Sequence, residues 1–223
     1  MPPAFIFDLD GTLVDTAPDL HTTLNVILSR EGLPCVDIKE LRHLVGRGAR
    51  NLLTEAFRRS GVALDAARLE ALTNAFIADY GSHVAAASRP YPGVVETLAR
   101  LKTEGARMAV LTNKPHGPTT MLIEQLGLAG YFGAVFGQGR RPYLKPDPRL
   151  FEDVLGEIGG RGDGVVVVGD SITDVETARA ASAPVILMSY GYTPEPAATL
   201  GADLVLDDFR EVPAAGRRLL GIA

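Results

Sequence analysis

Val165-Val166-Val167-Val168 is the segment that most narrows the fold, an unbroken β-branched run stopped by Gly169. A strand with no polar alternation has to be covered on both faces, and such strands belong to parallel sheets with helices above and below. Ala4-Phe5-Ile6-Phe7 and Met108-Ala109-Val110-Leu111 are apolar runs of similar length. Each run ends in reactive side chains: the first in Asp8-Leu9-Asp10-Gly11-Thr12, the second in Thr112-Asn113, the valine run in Gly169-Asp170-Ser171-Ile172-Thr173-Asp174. Residues two apart in an extended chain point the same way, so Asp8 and Asp10 converge past the strand end while Leu9 turns back inside. Ligands of open α/β sheets bind beyond the carboxyl ends of the strands. Lys145, in a loop stiffened by Pro146 and Pro148, adds a cation to this set.

Two carboxylates at a buried edge are costly unless a cation holds them or one is protonated. A hard cation such as Mg²⁺ suits them and would draw a phosphate to the same point. Each residue also has a plainer use. Asp8 and Asp10 suit a turn, Asp170 and Asp174 suit helix caps, Thr112 and Asn113 suit a strand end, and Lys145 suits a solvated surface.

Taken together, the four stretches resemble the haloacid dehalogenase superfamily of aspartate-nucleophile phosphatases. Asp8-Leu9-Asp10-Gly11-Thr12-Leu13-Val14-Asp15 carries most of the resemblance, and the motifs span nearly the whole chain. Val45-Gly46-Arg47-Gly48-Ala49, Tyr91-Pro92-Gly93-Val94, Leu111-Thr112-Asn113-Lys114-Pro115 and Tyr190-Gly191-Tyr192 are similar to the phosphoglycolate phosphatase branch. Ala181-Ser182-Ala183-Pro184 departs from it at a position usually held by glycine, which bears on a helix end and leaves the chemistry untouched.

The resemblance implies a Rossmann-like core in which Asp8 attacks phosphorus and Asp10 serves as general acid and base. It implies Mg²⁺ held by Asp8, the Asp10 carbonyl and Asp170, with Asp174 orienting a metal-bound water or Lys145. Thr112 and the following N–H, with Asn113 beside them, would contact the phosphoryl group, and Lys145 would balance its charge. A small phosphomonoester, 2-phosphoglycolate first, is the expected substrate. A sugar phosphomutase of the β-phosphoglucomutase type is the alternative. A dehalogenase fits less well, because halide needs no protonation on leaving and so no Asp10.

The helical pattern from residue 16 to 87 sets the domain plan. Asp15 or Thr16 is placed to cap a first helix with Leu20, Leu24, Ile27 and Leu28 on its apolar face. Further helices are expected near Ile38–Leu44, Ala49–Arg59 and Leu64–Ala87, with no strand among them. From Tyr91 onward strands and helices alternate, which predicts a parallel, doubly wound sheet. The expected plan is an α/β core of residues 1–15 and 88–223, interrupted after strand one by an all-helical cap of residues 16–87. In the cap, glycine-flanked Arg47, and less so Arg50, either reads a substrate carboxylate or is a solvated charge or cap-to-core ion pair.

A formal charge of −5 argues against a nucleic-acid surface. Cys35 stands alone, so it forms no disulfide within the chain and is expected to be a small, at least half-buried hydrophobe. No apolar run reaches the ~18 residues of a membrane span, and no leader-like N-terminal segment stands out, so the cytoplasm is the expected compartment.

Overall fold

The computed structural model describes residues 2–222. The chain enters through strand β1 (Ala4–Phe7) and makes a two-residue strand β2 (Val14–Asp15). Four helices follow: α1 (Ala17–Arg30), α2 (Ile38–Arg42), α3 (Ala49–Arg59) and α4 (Ala66–Gly81). The chain returns through β3 (Arg89–Pro90), which pairs antiparallel with β2, so the way out to the helices and the way back lie side by side. Then come α5 (Val94–Thr103), β4 (Arg107–Pro115), α6 (His116–Gln125), β5 (Ala134–Gln138), α7 (Pro148–Glu157) and β6 (Val165–Gly169). The last elements are α8 (Ile172–Ala180), β7 (Val185–Met188), β8 (Leu204–Leu206) and α9 (Val212–Leu220).

The main sheet runs in the order β5-β4-β1-β6-β7-β8 with every pairing parallel. Period-two alternation sorts its side chains onto two faces. Phe5, Phe7, Met108, Val110, Val166 and Val168 join one hydrophobic cluster, which continues into the helices of residues 16–87. Ile6, Ala109, Leu111, Val165 and Val167 join another, under α7 and α8. This double burial is what the uninterrupted valine run requires. Because β1 sits between β4 and β6, the carboxyl ends of these three strands are neighbours, and the Asp8, Thr112 and Asp170 regions meet there.

Several local expectations change. The α1 N-terminus is not capped by the Thr16 side chain. The Asp15 side chain, the other expected cap, accepts from the Ala17 N–H at 3.3 Å, and the Tyr192 hydroxyl accepts from the Thr16 and Ala17 N–H groups at 2.7 and 2.9 Å and donates to Asp15 Oδ1 at 2.6 Å. The last cap-region helix stops at Gly81, short of Ala87, and residues 82–88 return in turns. Cys35 is exposed, not half-buried. No helix among the described residues is long and apolar enough to cross a membrane.

Candidate active site

Asp8 follows β1 directly and is 6 % exposed; Asp10 is 9 % exposed. Gly11 makes the turn after them at φ +85°, and a Cβ there would stand 2.5 Å from Asp170 Oδ2, so the close approach of the two loops needs glycine. Across the strand ends, Asp170 is fixed by two donors: Thr12 Oγ1 to Oδ1 at 3.0 Å and the Tyr192 N–H to Oδ2 at 2.7 Å. Asp174 faces inward from the first turn of α8. Its Oδ2 accepts from the Asp170 and Ser171 N–H groups and the Ser171 hydroxyl, while its Oδ1 accepts from Lys145 Nζ at 2.7 Å. Helix capping and contact with the buried lysine are therefore carried by one carboxylate.

Lys145 Nζ also lies 3.0 Å from Asp8 Oδ1 as an ion pair, yet that oxygen receives no hydrogen bond. Asp174 and Asp8 raise the Lys145 ammonium above its ordinary range against the opposing effect of burial. Burial pushes the Asp8 carboxyl up to about 6, opposed by Lys145 and reinforced by Asp174 and Asp10. Burial, with Asp174 and Asp8 beside it, raises Asp170 well above the usual carboxylate range. Oxygens of Asp8, Asp170 and Asp174 lie within 4.8 Å of one another. Four buried carboxylates, Asp8, Asp10, Asp170 and Asp174, face two buried ammonium groups, Lys114 and Lys145. Ionised together they leave an excess of negative charge that a divalent cation would balance, and hard carboxylate oxygens suit such an ion.

Thr112 is buried near the end of β4 and borders the same cavity as Asp8 and Asp10. The Asn113 side chain is bonded to the Lys145 loop. Its Oδ1 accepts from the Lys145 N–H at 3.0 Å and its Nδ2 donates to the Lys145 carbonyl at 3.3 Å, so the amide is spent on holding the lysine loop. Arg47 is exposed and makes no hydrogen bond or ion pair among the described residues; it borders a cleft of about 490 Å³ with Asp10, Glu55, Asp170 and Tyr192. Arg50, on α3, is exposed as well.

Sequence reasoning assigned no role to Lys114. Its ammonium is 2 % exposed and pairs with Asp10 at 3.0 and 3.3 Å, while the Thr16 hydroxyl donates to the same carboxylate at 2.8 Å. Its place two residues beyond Thr112 was the available signal, since the two share one side of an extended strand. Above Asp8 and Asp10 is a small cavity beneath the helices, lined by Leu20, Val45, Leu52, Phe76, Ile77 and Tyr80 among others. It leaves about 30 Å³ for the centre of a water molecule.

The family model of the haloacid dehalogenase-like hydrolases matches residues 2–182, and the chain belongs to that family. It is 47 % identical to a phosphoglycolate phosphatase of Caulobacter vibrioides, over 96 % of this chain and 90 % of that one. An N-acetylmuramic acid 6-phosphate phosphatase of Pseudomonas aeruginosa is 35 % identical, over 94 % of this chain and 92 % of its own. A crystal structure of a predicted phosphoglycolate phosphatase from Haemophilus somnus superposes with a TM-score of 0.88 at 31 % identity, covering 96 % of this chain and 98 % of that one. The fold and these relatives make the protein a phosphoric monoester hydrolase.

Proposed function

We propose that this hydrolase is a Mg²⁺-dependent phosphatase of small phosphomonoesters whose substrate is 2-phosphoglycolate. The observation that carries the reading is the buried Asp8–Asp10 pair beneath a small cavity walled mostly by apolar side chains, which favours a compact ester over a sugar phosphate. Residues 16–87 are read as a cap domain on the core of residues 1–15 and 88–223. The antiparallel β2–β3 crossing is where such a cap would pivot.

Asp8 attacks phosphorus, its carboxylate oxygen forming the new bond as the ester oxygen leaves. Asp10 gives its proton to that departing alkoxide, then takes one from the water that attacks the aspartyl-phosphate, releasing phosphate and regenerating Asp8. The Thr112 hydroxyl and the Asn113 N–H hold phosphoryl oxygens, while Lys145 offsets their charge. Mg²⁺ would be held by the Asp8 and Asp170 carboxylates and the Asp10 carbonyl, and when bound it neutralises charge between nucleophile and phosphoryl group. Asp174 keeps Lys145 in place. With one exposed cysteine and a net charge of −5, the reading places the enzyme in the cytoplasm, without nucleic-acid partners.

A panel of 2-phosphoglycolate, N-acetylmuramic acid 6-phosphate, β-glucose 1-phosphate and p-nitrophenyl phosphate, with Mg²⁺ or excess EDTA, tests this. The expected result is phosphate release greatest by kcat/KM for phosphoglycolate and abolished by EDTA. Full activity in EDTA, preference for the muramic acid ester, or isomerisation of the sugar phosphate without phosphate release would overturn it.

A further inference from the structure

We infer that Lys114 and Tyr80 together form the subsite that reads the substrate's carboxylate, at one corner of the cavity. The inference rests on the proposed reading of the site as a phosphatase of a carboxylate-bearing ester. Among the described residues that line this cavity Lys114 is the sole cation. Lys145 does not line it and is held by Asp174 and Asp8. Arg47, the cap residue whose spacing first suggests a carboxylate contact, borders the cleft of about 490 Å³ instead.

The placement of Lys114 suits a short ester. Thr112 and Lys114, two residues apart at the end of β4, border the same cavity. In phosphoglycolate one oxygen and one methylene separate phosphorus from the carboxyl carbon. A phosphoryl group held at Thr112 therefore puts its carboxylate near the Lys114 ammonium. That ammonium has three N–H bonds to give and one carboxylate partner, Asp10.

Tyr80 supplies the second donor. It projects from α4, 2 % exposed, and its hydroxyl is buried without a hydrogen-bond partner. A stranded buried hydroxyl costs about 1–3 kcal/mol unless a ligand satisfies it. Its ring lies 4.3 Å from Lys114 Nζ, so the two donors border one corner of the cavity. Burial pushes the Tyr80 phenol up to about 12, with Lys114 pulling the other way, which keeps the hydroxyl a donor. A carboxylate there accepts from Lys114 on the core and from Tyr80 on the α4 helix. Most other walls of the cavity are apolar and repel an uncompensated charge.

The test compares phosphoglycolate with ethyl phosphate, which has the same ester length and a methyl in place of the carboxylate. The readout is the ratio of the two kcat/KM values, because Lys114 also touches Asp10 and absolute rates will fall on both. The wild type should prefer phosphoglycolate. Lys114→Met should lower the ratio roughly ten- to hundredfold, and Tyr80→Phe, which keeps the packing, roughly three- to tenfold. Arg47→Ala should leave the ratio within about twofold, and a selective loss there would overturn the assignment. An unchanged ratio in Lys114→Met and Tyr80→Phe would overturn it too, returning Lys114 to a support for Asp10. A wild type that prefers another carboxylate ester, such as N-acetylmuramic acid 6-phosphate, and loses that preference in both variants keeps the subsite and overturns phosphoglycolate alone. No preference for any carboxylate overturns both.

Discussion

Removing the Asp19 carboxylate should cost the protein a large part of its stability, because the chain returning from the helices is tied to it. Asp19 is in the first turn of α1 and is 3 % exposed. It accepts from the Ser88 N–H at 2.8 Å, the Ser88 hydroxyl at 2.6 Å and the Ala87 N–H at 3.0 and 3.1 Å. Ser88 is fully buried, whereas Ala87 is exposed and can turn to water. Asp19→Ala therefore strands two donors, each worth about 1–3 kcal/mol when buried and unsatisfied. Relief of carboxylate desolvation offsets part of this, leaving a loss of about 2–4 kcal/mol. Domains of this kind hold about 5–15 kcal/mol in total, so the shift is easily read by urea unfolding. Asp19→Asn keeps one acceptor oxygen and should lose about half as much. In a double-mutant cycle Asp19→Ala and Ser88→Ala should be strongly non-additive. A loss below about 0.5 kcal/mol for Asp19→Ala, or full additivity, would mean that water replaces the carboxylate and that the clamp anchors nothing.

Without metal, stability should fall as pH rises from about 4 to about 7. The folded Asp8 holds its proton up to about 6 against an ordinary value of 3.8, so its contribution is complete below the unfolded pKa and lost as pH passes through the folded one; Asp170 acts with the same sign. Tm measured in EDTA across that range checks this, and a rising Tm would contradict it; added Mg²⁺ should flatten the fall. Asn113→Ala should lower kcat about ten- to hundredfold with a smaller change in KM, since it frees the Lys145 loop and touches no substrate side chain. Steady-state kinetics would refute that with a KM effect larger than the kcat effect.

The parts of the fold that sequence displays are those in which local pattern and tertiary environment agree. Val165–Val168 and Ala4–Phe7 are apolar throughout because both sheet faces are covered, and their acidic ends are bunched because β1 lies between β4 and β6. Elsewhere the deciding partner is remote. β4 continues to Pro115, past Leu111, because Thr112, Asn113 and Lys114 are buried against the site, although asparagine and lysine are poor strand formers. The β2–β3 ribbon is two residues per strand, too short to alternate. α9 forms with Pro213 in its first turn and Gly216 packed against Phe5, where neither residue advertises a helix. Tyr80 extends the α4 stripe of Leu69, Leu72 and Phe76, and only the fold reveals that its ring lies against Lys114 and its hydroxyl away from solvent.

The account depends most on Asp8 as the nucleophile. Enzyme mixed with Mg²⁺ and phosphoglycolate carrying radiolabelled phosphorus, quenched in acid within a turnover and digested, should yield label on the peptide that contains Asp8. Asp8→Asn should carry no label and lose about 10³-fold or more in turnover while unfolding at a similar urea concentration. An unlabelled wild-type enzyme during steady turnover, label on another residue, or near-normal hydrolysis by the Asn variant would contradict the mechanism.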